Sequence, residues 1–350
     1  MALIEVSHLQ KRFNLEAGFF ARYGRFVNAV NDVSFTINDN EAYGFVGESG
    51  CGKTTTARLL VRMYEADGGS LLYYPDNQQE QCTPLDISAL QGDELKELRQ
   101  KVRYVFQDPA RSLNPRMNVY EILVSGARGL SRRESGSFRR AKIHEKELRE
   151  KAALTLNEVG LSPDDLDRRP SEFSGGQRQR ISIARSLLMQ PRLLICDEVV
   201  SALDVSIQGQ ILNLLMEIRE KRDISFLFIS HDLKVASYFC DRIGVMYKGE
   251  IMEEAPAEEL YRTALHPYTK LLFSSAAHTG DKYHTEARHG ASEGSAKNYF
   301  SPQALPLSQI PERSCSFAPR CPLVTERCFA EKPVMRESEN GHWVCCHAKN

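Results

Sequence analysis

Gly47-Glu48-Ser49-Gly50-Cys51-Gly52-Lys53-Thr54 lies between an apolar run, Ala42 to Val46, and a stretch of helical pattern from Thr54 to Met63. A strand that runs through a glycine-rich loop into a helix is the opening of an α/β unit, whose strands pair in parallel and whose helices cover the sheet. The loop fits the pattern G-x-x-x-x-G-K-S/T, in which the glycines let the backbone close around phosphate oxygens. Lys53 is placed to reach the β- and γ-phosphates of a nucleotide, and the Thr54 hydroxyl, followed by Thr55, to ligate Mg²⁺.

The rest of the chain supports that class. Leu3 to Val6, Val30 to Ile37, Leu193 to Cys196 and Ser225 to Ile229 read as strands, which predicts an α/β fold around a mainly parallel sheet. Ile211, Leu214, Leu215 and Ile218 recur at the spacing of one helix face. Residues 119 to 189 are largely helical in pattern, and their charge-rich stretch from Arg139 to Lys151 suits a solvated face. This block separates the glycine-rich loop from the later strands, so it reads as an inserted helical subdomain at about 112–189. The main domain is expected over 1–275, a linker rich in small, polar and proline residues over 276–312, and a cysteine-rich segment over 313–350.

With 350 residues, 42% of them hydrophobic, the chain can bury a sizeable core. A net charge of −1 gives no global field toward nucleic acid, so no nucleic-acid partner is expected. No stretch approaches the roughly 20 apolar residues that span a bilayer, and the start lacks a basic, apolar leader; the expected location is cytosolic.

Asp197-Glu198 ends the Leu193 run at the carboxyl end of a predicted parallel strand, where open α/β sheets bind ligands. Alternation points the two carboxylates differently. Asp197 is suited to Mg²⁺, and Glu198 to act as base or polariser for an attacking water. His231, after the Ser225 to Ser230 run, can contact a γ-phosphate or orient that water, and Gln107, after Val105-Phe106, can sense Mg²⁺ and water. Phe173 precedes Ser174-Gly175-Gly176-Gln177 at a predicted helix start. Such a turn binds an anion or is merely capped by Ser174.

Nine cysteines are unevenly spread, with Cys315, Cys321, Cys328, Cys345 and Cys346 crowding the end. In a reducing compartment such crowding favours metal over disulfides. Cys315, Cys321, Cys328 and Cys346 supply four soft ligands, open to zinc or an iron–sulfur cluster, with His342 and His347 as further candidates.

Taken in order, Gly47 to Thr54, Gln107, Phe173 to Gln177, Leu193 to Glu198, Ser201-Ala202-Leu203-Asp204 and His231 resemble an ABC-transporter ATPase over residues 1 to 275. Ser112-Leu113-Asn114-Pro115-Arg116-Met117 and His266-Pro267-Tyr268-Thr269 resemble the ATPases of oligopeptide and dipeptide permeases, and the insert from Leu15 to Val27 resembles their F-type subunit. The resemblance implies a P-loop NTPase ABC ATPase core with an inserted helical subdomain and a cysteine-rich C-terminal extension. It implies hydrolysis of ATP with Mg²⁺ to drive import of di- or oligopeptides, nickel or another solute being the variant within the class. Two subunits would meet head to tail, each ATP lying between one glycine-rich loop and the other subunit's Ser174 to Gln177, with Asp204 along the seam and Phe13 stacking on adenine. A related second ATPase, two transmembrane permease subunits and, indirectly, an extracytoplasmic substrate-binding protein follow as partners, at the cytoplasmic face of the inner membrane. The resemblance also implies a 4Fe–4S cluster on Cys315, Cys321, Cys328 and Cys346, with zinc as the alternative. Val199 departs from the family's usual proline. A soluble ABC ATPase acting on nucleic acid or ribosomes is the rival class, and a metal-sensing regulator a third.

Overall fold

The computed structural model describes residues 1–14, 26–75, 83–131, 138–277, 314–339 and 341–349. Most of the expected linker and of the Leu15 to Val27 insert therefore lies outside the described residues. The order is β1 (Ala2–Asn14), β2 (Phe26–Asn38), β3 (Ala42–Val46), α1 (Lys53–Leu60), β4 (Gly68–Tyr73), β5 (Leu85–Asp86), α2 (Gly92–Lys101) and β6 (Val102–Val105). Four helices follow, α3 (Pro109–Ser112), α4 (Val119–Ser131), α5 (Phe138–Glu158) and α6 (Gly175–Leu187). Then come β7 (Leu193–Asp197), α7 (Val205–Arg222), β8 (Ser225–Ser230), α8 (Leu233–Phe239), β9 (Arg242–Tyr247), β10 (Glu250–Pro256), α9 (Ala257–Thr263) and α10 (Pro267–Ala277). The C-terminal segment adds α11 (Glu326–Ala330), β11 (Arg336–Glu337) and β12 (Trp343–Val344).

Two sheets form. The larger has eight strands in the order β11-β12-β10-β9-β3-β8-β7-β6. Its part from β9 to β6 is wholly parallel, as the apolar runs predict, and β10 returns antiparallel to β9. The smaller sheet, β2-β1-β4-β5, is antiparallel, and the sequence reading missed it. Leu3 to Val6 and Val30 to Ile37 were legible as strands, but strand propensity does not specify a partner, and β4 carries the glycine pair Gly68-Gly69 that weakens a strand pattern.

Alternation along the parallel strands supplies two cores. Leu194, Cys196, Phe226 and Phe228 face the helices α6, α7 and α8, while Leu193, Ile195, Leu227 and Ile229 face α1 and the smaller sheet. Both sets are 0% exposed, which accounts for the near-continuous apolar runs: a parallel strand covered on both faces has no polar side. Burying each such side chain contributes about 1.5–3 kcal/mol.

The cysteine-rich segment is an extension in sequence but not in space. Glu253 pairs with Val344 and Glu254 with Trp343, so β12 continues the large sheet from its β10 edge. Cys315, Phe317, Ala318, Cys328 and Cys345 join the helix-side core. A buried polar knot ties the parts together. The Glu253 carboxylate, 0% exposed, accepts from Leu265 N–H at 2.6 Å and His266 N–H at 2.9 Å and meets His342 Nε2 at 2.7 Å.

His266 is buried beside that knot and its Nδ1 accepts the Tyr268 N–H at 3.0 Å, an arrangement that requires neutral imidazole. Burial holds its pKa down at about 4, against the opposing pull of Glu253. Between that value and the ordinary 6.5 the unfolded chain binds a proton that the folded chain does not, so stability falls as pH falls through this window. Chemical denaturation from pH 7 to 4 should show a His266-dependent loss of up to ~1.4 kcal/mol per pH unit. His266→Asn, which keeps an acceptor without a titrating ring, should flatten that slope; an unchanged slope would exclude His266 as its source.

Candidate active site

The parallel order β9-β3-β8-β7-β6 brings four carboxyl ends side by side. The glycine-rich loop follows β3, His231 follows β8, Asp197 and Glu198 close β7, and Phe106-Gln107 follow β6. Residues up to 184 positions apart in sequence therefore line one edge of the sheet.

The loop is folded around its own lysine. Lys53, 4% exposed, donates from Nζ to the Gly47 carbonyl at 2.6 Å and the Glu48 carbonyl at 3.0 Å, with Cys51 Sγ 3.6 Å away. The two carbonyls satisfy the buried ammonium. Gly52 is required outright: its φ is +112°, and a Cβ there would stand 2.3 Å from the Ala29 carbonyl oxygen. Ser49 and Gly50 form the exposed tip, Cys51 is buried, and Thr55 is half-buried in the first turn of α1. Burial pushes the Cys51 thiol up, which keeps it neutral beside Lys53.

Thr54 Oγ1 donates to Asp197 Oδ1 at 2.9 Å, and Tyr104 O–H donates to Asp197 Oδ2 at 2.5 Å. Asp197 is buried, and desolvation raises its pKa although both hydrogen bonds oppose the rise. The nearby Arg58 charge offsets only part of that cost, and a divalent cation beside Thr54 and Asp197 would offset more of it. Glu198 faces the other way, accepting from Gln107 Nε2 at 2.7 Å, while His231 Nδ1 stands 3.7 Å from its Oε1. Its backbone is left-handed, with φ +49°, held by its N–H to the Ile229 carbonyl at 3.0 Å and by Ser201 Oγ to its own carbonyl at 2.9 Å. Such a conformation in a non-glycine residue costs of order 1–3 kcal/mol and persists where the surroundings over-determine it. Val199 and Val200, both buried, pack beneath the turn, so the absent proline removes no contact that the site needs.

Ser174 and Gln177 close on each other. Ser174 Oγ accepts from Gln177 N–H at 3.3 Å and Gln177 Oε1 from Ser174 N–H at 3.0 Å, a reciprocal capping box at the start of α6. The capping reading of this turn thus holds within the single chain, and both side chains remain exposed. A Cβ on Gly175 would stand 3.9 Å from Leu203 Cδ2, and one on Gly176 only 2.7 Å from Ile207 Cγ2 in the first turn of α7. Asp204 is the exposed N-cap of α7 and makes no side-chain cap bond. Phe13, at the end of β1, packs edge-on against Tyr64 with centroids 5.2 Å apart.

Two contributors were invisible beforehand. Tyr104 looked like one more apolar strand residue, and only its pairing opposite Ile195 in the β6–β7 register sets its hydroxyl on Asp197. Tyr268, inside the His266 to Thr269 phrase, accepts the Glu48 N–H at 2.9 Å and so holds the loop.

The ABC transporter family model matches residues 30–201, and the model of the oligopeptide/dipeptide transporter C-terminal region matches residues 252–328. The oligopeptide transport ATP-binding protein AppF of Bacillus subtilis is 39% identical over 347 residues, covering 99% of this chain and 97% of the relative. The oligopeptide transport ATP-binding protein OppF of Haemophilus influenzae is 38% identical over 347 residues, covering 98% and 96%. Among solved structures, an ABC transporter component from Clostridium perfringens superposes with a TM-score of 0.59 at 25% identity, covering 74% of this chain and 90% of its own. A dimeric ATP-binding cassette in a post-hydrolysis state bound to ADP and Pi superposes with a TM-score of 0.57 at 26% identity, covering 73% and 98%.

Tyr104→Phe removes one of the two hydrogen bonds that orient Asp197. It should raise the Mg²⁺ concentration for half-maximal ATP hydrolysis by roughly threefold to tenfold. A Mg²⁺ titration unchanged from wild type would show that Thr54 alone orients the carboxylate.

Proposed function

The chain belongs to the ATP-binding subunits of ABC transporters, of the oligopeptide/dipeptide type, and from that premise we propose that it is an F-type subunit whose ATP hydrolysis drives import of di- and oligopeptides. One observation carries the assignment of roles: Thr54–Asp197 and Gln107–Glu198 are hydrogen-bonded pairs at adjoining strand ends, with His231 beside the second. Thr54, Asp197 and Gln107 hold Mg²⁺; Lys53 leaves the Gly47 and Glu48 carbonyls for the β- and γ-phosphates. Gln107 and His231 fix the Glu198 carboxylate, which takes the proton of the water attacking the γ-phosphorus, giving ADP and phosphate. Gly47 to Gly52 and Thr55 line the loop around the triphosphate, and Phe13 is the adenine-side aromatic.

The exposed turn Ser174 to Gln177 serves a partner's nucleotide. A γ-phosphate arriving across a dimer seam replaces the long Ser174–Gln177 bond and adds the N–H groups of Gly175 and Gly176 at a helix start. The dimeric cassette among the structural neighbours supports this composite site, and Asp204 then lies along the seam. The partner is a related, non-identical ATPase. The two membrane subunits are gripped by the helical segment that begins at Ser112 to Met117, where Asn114, Pro115 and Arg116 are exposed only a few residues from Gln107. An extracytoplasmic binding protein selects the cargo, and the chain sits on the cytoplasmic face of the inner membrane. No helix among the described residues is long and apolar enough to cross a membrane.

Cys315, Cys321, Cys328 and Cys346 are the ligands proposed for a 4Fe–4S cluster. Cys315 N–H donates to the Cys328 carbonyl at 2.8 Å. Burial, reinforced by the neighbouring Cys346, Cys315 and Cys328 thiols, pushes Cys321 up to about 11. The adjacent Cys345 is engaged elsewhere, donating from Sγ to the Pro333 carbonyl at 3.0 Å, which leaves Cys346 as fourth ligand. Among the described residues no three such side chains are close enough to share one metal ion. The short C-x₂-C knuckles typical of zinc ribbons are absent from this segment, which favours a cluster over zinc. When bound, the cluster supplies cross-linking of the C-terminal segment and a one-electron centre.

Glu198→Gln in the purified transporter should lower ATP hydrolysis by about 10²-fold or more while MgATP binding persists; wild-type turnover would remove Glu198 from the role of base. Anaerobic purification followed by iron, sulfide and zinc analysis should return iron and sulfide, and Cys321→Ser should lose them. Zinc alone would replace the cluster. Cofractionation with permease subunits is expected, whereas association with ribosomes or DNA at physiological salt would favour the soluble class.

A further inference from the structure

Glu48 is the only acidic residue of the glycine-rich loop. An anion inside a phosphate cradle is an electrostatic liability: it repels the triphosphate and competes for the Lys53 ammonium. Its side chain is neutralised from the other end of the chain. Arg320 donates Nη1 to Glu48 Oε2 at 2.9 Å and Nη2 to Glu48 Oε1 at 2.8 Å, a two-point fork of the kind lysine cannot make.

The fork is held from behind. Arg320 lies over the Tyr247 ring at 5.6 Å and the Phe317 ring at 5.8 Å, and those two rings meet edge to face at 5.3 Å. Phe317 is 1% exposed, and a 3-10 turn over Ala318–Arg320 sets the arginine's backbone between Cys315 and Cys321. Tyr268 packs on Tyr247 and Phe317 at 4.7 and 5.4 Å, and its hydroxyl takes the Glu48 N–H at 2.9 Å. Glu48 is thus gripped twice, by side chain and by backbone, from one aromatic cluster, and its own carbonyl is an acceptor for Lys53.

We propose that Arg320 is a positioning residue of the nucleotide site: by occupying the Glu48 carboxylate it leaves Lys53 and the loop N–H groups to the phosphates, so that the cysteine-bearing C-terminal loop sets the affinity for ATP. The Arg320–Glu48 fork is made by the chain's own residues, whatever the four thiols bind. The pair is more than a third exposed on both sides, at 39% and 43%, so its effect is moderate.

The test is a mutant cycle on the assembled transporter, read as KM for ATP separately from kcat. Arg320→Ala should raise KM about fivefold with kcat within twofold, because binding and not the chemical step loses the compensation. Adding Glu48→Gln should recover at least half of that loss, since the uncompensated carboxylate is then gone. A merely structural arginine predicts the opposite, a double variant no better than the single one, and that result would overturn the proposal, as would an unchanged KM in Arg320→Ala. If Arg320→Ala does not accumulate as folded protein, Arg320→Lys replaces it in the same cycle: it keeps the charge but not the fork, and should raise KM by about twofold with the same rescue by Glu48→Gln.

Discussion

The candidate site depends on parallel pairing within one sheet. Because β6, β7, β8 and β3 run the same way in adjacent positions, their carboxyl ends stop at one edge, and the residue after each strand is delivered there. An antiparallel arrangement would place alternate ends on opposite sides. The core that enforces the pairing is two-sided, and its apolar side chains on both faces leave the strand ends as the place where polar side chains such as Asp197 gather.

At that edge the electrostatics are arranged around charges still to arrive. Lys53 is satisfied by carbonyl oxygens, Asp197 is buried with its pKa raised by desolvation, and Glu198 is steadied by Gln107. Each group is held by bonds that nucleotide and Mg²⁺ can replace with stronger, charge-assisted ones. The same holds for Ser174 and Gln177, whose mutual capping keeps the turn ordered with its side chains exposed. Within the chain this turn is a capped helix start, and in the proposed composite site the same N–H groups would meet a partner's phosphate.

The C-terminal segment changes character between sequence and structure. Read linearly, it is a metal-binding appendix beyond a linker. Folded, it extends the large sheet through β12, contributes Phe317 and three cysteines to the core, and returns Arg320 to the glycine-rich loop. Glu253 and His342, 89 positions apart, seal that junction. No periodicity or spacing encodes such a contact, because its register is set by sheet pairing at β10.

By itself the sequence determined which residues would meet at the sheet edge: Gly47 to Thr54, Asp197-Glu198, Gln107 and His231 follow apolar strand runs at a spacing that is local and therefore readable. It also determined the parallel class of the sheet, since buried parallel strands must be apolar on both faces. Only the tertiary structure decided the antiparallel β1-β2-β4 sheet, the Tyr104 and Tyr268 hydroxyls and the Arg320 fork. These depend on which distant strands lie side by side. That choice comes from packing the whole core and is written in no segment alone.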